Sequence, residues 1–227
     1  MSVLDRPRLV LFDFDGTLVD SQHSIVASFA EACRVHAIAD VDPTAIRQQI
    51  GLPLAIAIAE SVPACHRDRA ADIAESYKLA HRALAAANAD HDPLFPGAAD
   101  ALVALHEAGA VLGIATGKGR RGLVNTLTRH RLFDRFTVLR TAEDGPGKPD
   151  PFMIRSALGE TGIDAADAIM IGDTVFDMAM ARNAGVPAIG VAWGYHQPDA
   201  LRDAGAVGVV ESFDALVGVL QERGFAQ

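Results

Sequence analysis

The sequence predicts an α/β fold: a parallel sheet flanked by helices, interrupted after its first strand by an all-helical insertion. Three observations lead there. Short apolar runs recur and end at small or acidic residues; helical patterns of about ten residues separate them; and residues 20–90 are helical in period with no strand of their own. Strands alternating with short helices indicate βαβ units. Runs that are apolar throughout fit strands buried on both faces of a sheet.

In chain order, the first run is RLVLFDFD (8–15). The insertion follows, with SIVASFAEACRVHA, PTAIRQQI, LAIAIAES and DRAADIAESYKLAHRALAAANA as its Ala-rich helical patterns. NADHDPLFPG (88–97), rich in Pro and Asp, reads as the return linker. Strand runs then appear at AVLGIATG (110–117), FTVLRT (136–141), AIMIGDT (168–174), PAIGVAW (187–193) and AVGVVE (206–211). Helical patterns occupy 98–109, 119–130, 151–162 and 176–185, several closing on Gly, a helix C-terminal signal. The expected division is 1–19 for the first strand and its motif, 20–90 for the insertion, and 91–227 for the rest of the α/β core.

Composition narrows the function classes. The chain has 227 residues, 50% hydrophobic and 22% charged, with a net charge of −9. Acidic balance without basic blocks argues against a nucleic-acid surface, and makes an anionic ligand depend on local cations. The two cysteines, Cys33 and Cys65, form no CxxC and are expected as small buried residues in a reducing compartment. The first residues, MSVLDRPR, lack the apolar core of a signal peptide, and no segment approaches ~18 uninterrupted apolar residues. A cytoplasmic protein with no membrane association is the expectation. Oligomeric state is not legible.

LVLFDFDGTLVDS (9–21) carries the chemistry. Asp13 and Asp15 stand one residue apart, with Phe12 and Phe14 giving them no hydrogen bonds. Such a pair needs a cation, a proton, or both. In an open parallel sheet, ligands bind beyond the carboxyl ends of the strands. Asp13 with Asp15, Thr116 and Asp173 all fall at strand ends, and Lys148 falls in the loop EDGPGKPDP after the third strand. The topology brings them to one rim.

DFDGT, ATG, GKP and GDTVFD resemble, in order and spacing, the four motifs of the haloacid dehalogenase superfamily. GLPL (51–54) and VAWGY (191–195) resemble its phosphoglycolate phosphatase-like branch, and the insertion resembles that family's helical cap. The resemblance spans almost the whole chain and implies a Rossmann-like core and an Mg²⁺-dependent phosphatase acting on a small phosphorylated metabolite. It also implies that Asp13 is the nucleophile, forming an aspartyl-phosphate, and that Asp15 is the general acid and then the base. Asp13, Asp173 and the backbone carbonyl of Asp15 are implied as metal ligands, and Thr116, Gly117 and Lys148 as the phosphate-binding set. The elementary electrostatics agree. At ~4 Å and an effective dielectric of ~20, a carboxylate and a phosphate charge repel by about 4 kcal/mol, so cations are required. The family more often has Asn after this Thr or Ser; with Gly117 only a backbone contact carries over. Asp177 either holds a metal-bound water or orients Lys148.

Three other readings compete with this one. A dehalogenase lacks the second motif Asp that stands here at Asp15. A phosphosugar mutase presents a cation after the cap Gly, where this chain has Leu52. A non-catalytic phosphate-binding or regulatory protein has no use for Asp15. Other features read as ordinary: Lys118, Arg120 and Arg121 as a solvated helix face, Thr116 as a helix N-cap as well as a phosphate ligand, the eight histidines (His196 included) as unrelated to any metal, and Trp193 and Tyr195 as packing that borders the site.

Overall fold

The computed structural model describes residues 8–39, 41–87 and 92–225. Parts of the expected first segment, of the linker at 88–91 and of the C-terminus lie outside the described residues. Six parallel strands, β1 (Leu9–Phe12), β2 (Val111–Ala115), β3 (Phe136–Arg140), β4 (Ala168–Gly172), β5 (Ala188–Val191) and β6 (Gly208–Val210), form one sheet in the order β3-β2-β1-β4-β5-β6. All six expected strands are present, one or more residues shorter than their apolar runs. β1, β4 and β5 are buried at every position, as runs without polar alternation require.

Period-two geometry divides each strand between two cores. Val10, Phe12, Ile169 and Ile171 face a cluster completed by Leu102 and Leu105 of α5 (Ala98–Glu107), Leu123 and Leu127 of α6 (Arg120–Arg129), and Leu216 and Leu220 of α10 (Phe213–Glu222). Leu9, Leu11, Ala168 and Met170 face the other, completed by Met153 and Ile154 of α7 (Phe152–Thr161), Met178 and Ala181 of α8 (Val175–Ala184), and Leu201 of α9 (Pro198–Asp203). The sheet is thus doubly wound. The sequence reading did not name α9 and α10. The spacing Phe213, Leu216, Leu220, preceded by Ser212 whose Oγ accepts the Ala215 N–H, was the signal for α10.

Between β1 and α5 the chain builds a third cluster of its own. α1 (Gln22–Val35), α2 (Pro43–Gln49), α3 (Leu54–Ser61) and α4 (Ala70–Ala87) bury Ile25, Phe29, Ile46, Ile58 and Ile73 against one another. The chain enters and leaves this helical layer side by side: Asp20 N–H donates to the Pro93 carbonyl at 2.8 Å, Phe95 N–H to the Leu18 carbonyl at 3.0 Å, and Val19 and Leu94 form an antiparallel bridge. Among the described residues, no helix is long and apolar enough to cross a membrane. Cys33 is buried as expected, but Cys65 is exposed, because it lies in a short 3-10 turn between α3 and α4 that buries none of its residues.

Because the layer's core is separate from the sheet's two cores, a cavity in one should not loosen the other. Phe29→Ala should cost about 3–5 kcal/mol in the layer. Amide exchange should speed up across α1–α4 while β1, β2 and β4 keep their protection; equal loss of protection in the sheet would contradict the separation.

Candidate functional site

Strand register assembles the site. Phe12 pairs with Ile114 on one side and Ile171 on the other, so the residues that follow each strand emerge at the same rim. Asp13 N–H donates to the Ile171 carbonyl at 2.8 Å, and Thr116 N–H to the Arg140 carbonyl at 3.0 Å. β1 and β4 flank the point where the winding of the sheet reverses, the crevice in which such folds bind ligands.

Four charged groups meet there out of water. Asp13, Asp173, Asp177 and Lys148 are all buried. Lys148 Nζ lies 2.6 Å from Asp13 Oδ1 and 2.7 Å from Asp177 Oδ1. Both are close ion pairs between fully buried groups. Burial works against the Lys148 charge, yet Asp13 and Asp177 outweigh it and hold its pKa above the ordinary lysine value. Burial pushes Asp13 the other way for a carboxyl, up to about 7, opposed by Lys148 and reinforced by Asp177. Asp173 is raised well above its ordinary value by burial and by the charges of Asp13 and Asp177. Its oxygens are fixed by Thr17 Oγ1, donating to Oδ1 at 2.8 Å, and Tyr195 N–H, donating to Oδ2 at 2.9 Å.

One ammonium does not balance three buried carboxylates. Asp13, Asp173 and Asp177 each offer an oxygen, all within 4.8 Å of one another. An all-oxygen acidic set fits a hard divalent cation. Asp177 is already engaged on both sides. Its Oδ2 accepts from Thr174 N–H at 3.0 Å and Thr174 Oγ1 at 2.7 Å, in a capping box at the start of α8, while its Oδ1 meets Lys148. The Lys148 contact is what an orienting role for Asp177 requires, and Asp177 also belongs to the three-carboxylate group that could hold a cation. The box was legible in Thr174-x-x-Asp177.

The structure corrects two sequence expectations. Thr116 does not cap a helix: Gly119 holds that position in α6, and Thr116 Oγ1 instead accepts the Lys118 N–H at 3.1 Å. Lys118 is not on a solvated face. Its side chain is 8% exposed and its Nζ lies 2.9 Å from Asp15 Oδ1. The residue sits on the loop before α6 and points back across the rim, so helical spacing does not govern it. Arg120 pairs with Asp144 at 2.8 Å in partial exposure and Arg121 is exposed, as a solvated face requires.

The helical layer closes over this rim. A cavity of about 880 Å³ is lined by Asp13, Asp15 and Thr116 from the sheet side and by Gly51, Leu52 and Tyr77 from the layer. A Cβ on Gly117 would stand 3.4 Å from the Gly51 carbonyl, so the GLPL loop lies directly against the Thr116–Gly117 turn. At Gly16 (φ +90°) and Gly194 a side chain would collide with Asp173. Trp193 packs 4.7 Å from Phe213 and donates its indole N–H to the Thr17 carbonyl at 3.0 Å. Tyr195 does border the site through its backbone. His196 bridges the two parts, accepting from Val175 N–H at 3.2 Å and donating to the Gln48 carbonyl at 3.1 Å.

The raised Asp13 pKa has a measurable consequence in metal-free protein. A group whose folded pKa lies above its unfolded one supports the fold fully below the unfolded value, and that support is lost as pH rises through the folded value. For Asp13 the window runs from 3.8 to about 7. The melting temperature of Asp13→Asn relative to wild type should therefore climb steadily across that window. A difference that stays flat would mean that Asp13 ionises without cost.

Residues 10–191 match the family model described as haloacid dehalogenase-like hydrolase. The chain is 36% identical over 212 residues to the protein named probable phosphatase IndB of Dickeya dadantii, covering 92% of each chain. It is 30% identical over 216 residues to phosphoglycolate phosphatase of Rhodospirillum rubrum, covering 92% of this chain and 89% of that one. A haloacid dehalogenase-like family hydrolase from Streptococcus pneumoniae superposes with a TM-score of 0.81 at 25% identity, covering 95% and 99% of the two chains. The motifs at the strand ends, the doubly wound sheet and these matches agree: the chain belongs to the haloacid dehalogenase-like hydrolase family.

Proposed function

We propose that this protein is an Mg²⁺-dependent phosphatase that hydrolyses a small phosphate monoester through an aspartyl-phosphate on Asp13. One observation carries the reading: a buried carboxylate at a strand end, Asp13, in contact with a buried ammonium whose other partner, Asp177, is locked by its own helix cap. That arrangement holds a nucleophile and a cation at fixed positions in a water-poor site. The names of the relatives support a phosphatase, and the phosphoglycolate phosphatases among them make phosphoglycolate the leading substrate.

The residues divide the work as follows. Asp13 attacks phosphorus. The ester oxygen leaves with a proton from Asp15, and water then attacks the same phosphorus while Asp15 takes a proton back. Lys148 stabilises the negative charge that collects on the phosphoryl oxygens. Thr116, whose oxygen already accepts the Lys118 N–H, donates its hydroxyl proton to a phosphoryl oxygen beside the Gly117 N–H. Asp13, Asp173 and the Asp15 backbone carbonyl would hold Mg²⁺, which supplies the positive charge that lets a carboxylate approach a phosphate. The helical layer acts as the cap that excludes water. The loop at 51–54 has no charged residue, so the cation that a phosphosugar mutase presents directly after the cap Gly is absent from that position. A mere phosphate binder would gain nothing from Asp15.

Initial rates over phosphoglycolate, sugar phosphates, nucleotides, pyrophosphate and an aryl phosphate test this. Small monoesters should turn over with Mg²⁺, lose turnover under exhaustive chelation, and regain it when Mg²⁺ is returned. Full activity in chelator would remove the metal from the mechanism, and no hydrolysis of any ester would refute the phosphatase reading.

A further inference from the structure

Lys118 occupies a place that the four motifs do not explain. Its ammonium lies 2.9 Å from Asp15 Oδ1 and 3.3 Å from Asp92 Oδ2, and Asp92 is itself fully buried. Asp92 stands where the chain returns from the helical layer to the sheet. Ser24 Oγ of α1 donates to its Oδ1 at 2.6 Å. From the C-terminal end of α6, Arg129 and His130 donate to its backbone carbonyl at 3.1 and 3.2 Å. Asp92 is therefore fastened to the first helix of the layer and to a helix of the core at once. Lys118 joins that junction to the second carboxylate of the DxD motif.

The ammonium is held from other sides too. It lies 5.8 Å from the centroid of Phe14, the residue between the two motif carboxylates. The Lys118 stem runs along the first turn of α6, where Gly122 leaves it room; a Cβ there would stand 3.4 Å from Lys118 Cε. A buried lysine shared by two carboxylates costs desolvation unless its geometry is complete. Here the ion pair fixes one oxygen of Asp15, a residue that lines the cavity.

We propose that Lys118 is a positioning residue for Asp15: tied through Asp92 to the crossing between helical layer and sheet, it sets where the Asp15 carboxyl points, so that proton delivery to the leaving group depends on the state of that crossing. The inference rests on the reading of Asp15 as general acid. Without the ammonium, Asp15 and Asp92 would be left as carboxylates with no Lys118 between them, and the Asp15 side chain would turn away. While Asp15 gives up and regains its proton, Asp92 keeps the ammonium partnered, so Lys118 need not move.

The test compares an alkyl phosphate, whose alkoxide needs a proton to leave, with p-nitrophenyl phosphate, whose phenolate does not. Asp15→Asn should lower kcat for the alkyl ester by about 10²–10⁴-fold and for the aryl ester much less. Lys118→Met should show the same asymmetry on a smaller scale, with about tenfold more loss for the alkyl ester and little change in KM for either. Asp92→Asn should follow in the same direction, more weakly. The aryl rate of Lys118→Met reports that the variant is folded. Equal losses on both esters, a loss confined to KM, or no loss at all would overturn the positioning role. If Asp15→Asn shows the asymmetry and Lys118→Met does not, only the Lys118 proposal fails. If Asp15→Asn itself falls equally on both esters, the general-acid reading fails and takes the proposal with it.

Discussion

Everything at the rim depends on one imbalance: three carboxylates, Asp13, Asp173 and Asp177, are buried together, and the buried ammonium among them, Lys148, contacts two, Asp13 and Asp177. Charges removed from water are tolerated only when paired or when a proton or cation neutralises them. The consequence shows in the direction of the pKa shifts, with Asp13 and Asp173 pushed up and Lys148 held up. A site in this condition is unfavourable by itself, and a divalent cation entering with an anionic oxygen, as proposed above, would relieve it. The same imbalance that burdens the fold prepares the site for the charge of a phosphoryl group.

The sheet supplies the rigidity that this arrangement needs. Asp13 follows β1, Thr116 follows β2 and Asp173 follows β4, and the pairing of Phe12 with Ile114 and Ile171 sets their relative heights. A one-residue slip in either pairing would turn a functional side chain into the core. Small residues then make the room: Gly16 and Gly194 leave space that Asp173 fills, and Gly117 lets the cap loop lie against the Thr116 turn. Fixed strands place Asp13, Thr116 and Asp173, and the layer of α1–α4 closes above them. Its two chain crossings run side by side through Val19 and Leu94, a junction at which small rotations of the layer would be felt near Asp15.

What the sequence made legible was local or periodic. Apolar runs without alternation marked β1, β4 and β5 because those strands are covered on both faces. Asp13, Asp15, Thr116, Lys148 and Asp173 stood out because each has an unusual residue type at a strand end or in a Gly/Pro loop. Lys118 and Asp92 were missed for the opposite reason. They lie 26 residues apart in sequence and Lys118 lies 103 from Asp15, and each looks ordinary in its own neighbourhood, one in a basic-looking turn and the other in a Pro/Asp-rich linker. Their pairing exists only after the sheet has brought β1 and β2 together and the chain has returned from the helical layer. Cys65 shows the same limit from the other side, since nothing local distinguishes an exposed cysteine in a short turn from a buried one.

The central claim is that phosphorus passes through the Asp13 carboxylate. A single turnover of excess enzyme in H₂¹⁸O, acid-quenched and digested, tests it directly. A phosphoryl group is expected on the peptide that contains Asp13 at early times, with ¹⁸O in the released phosphate and unlabelled Asp13 at the end. Label in the Asp13 carboxylate, or no phosphorylated Asp13 peptide while phosphate is being released, would contradict it.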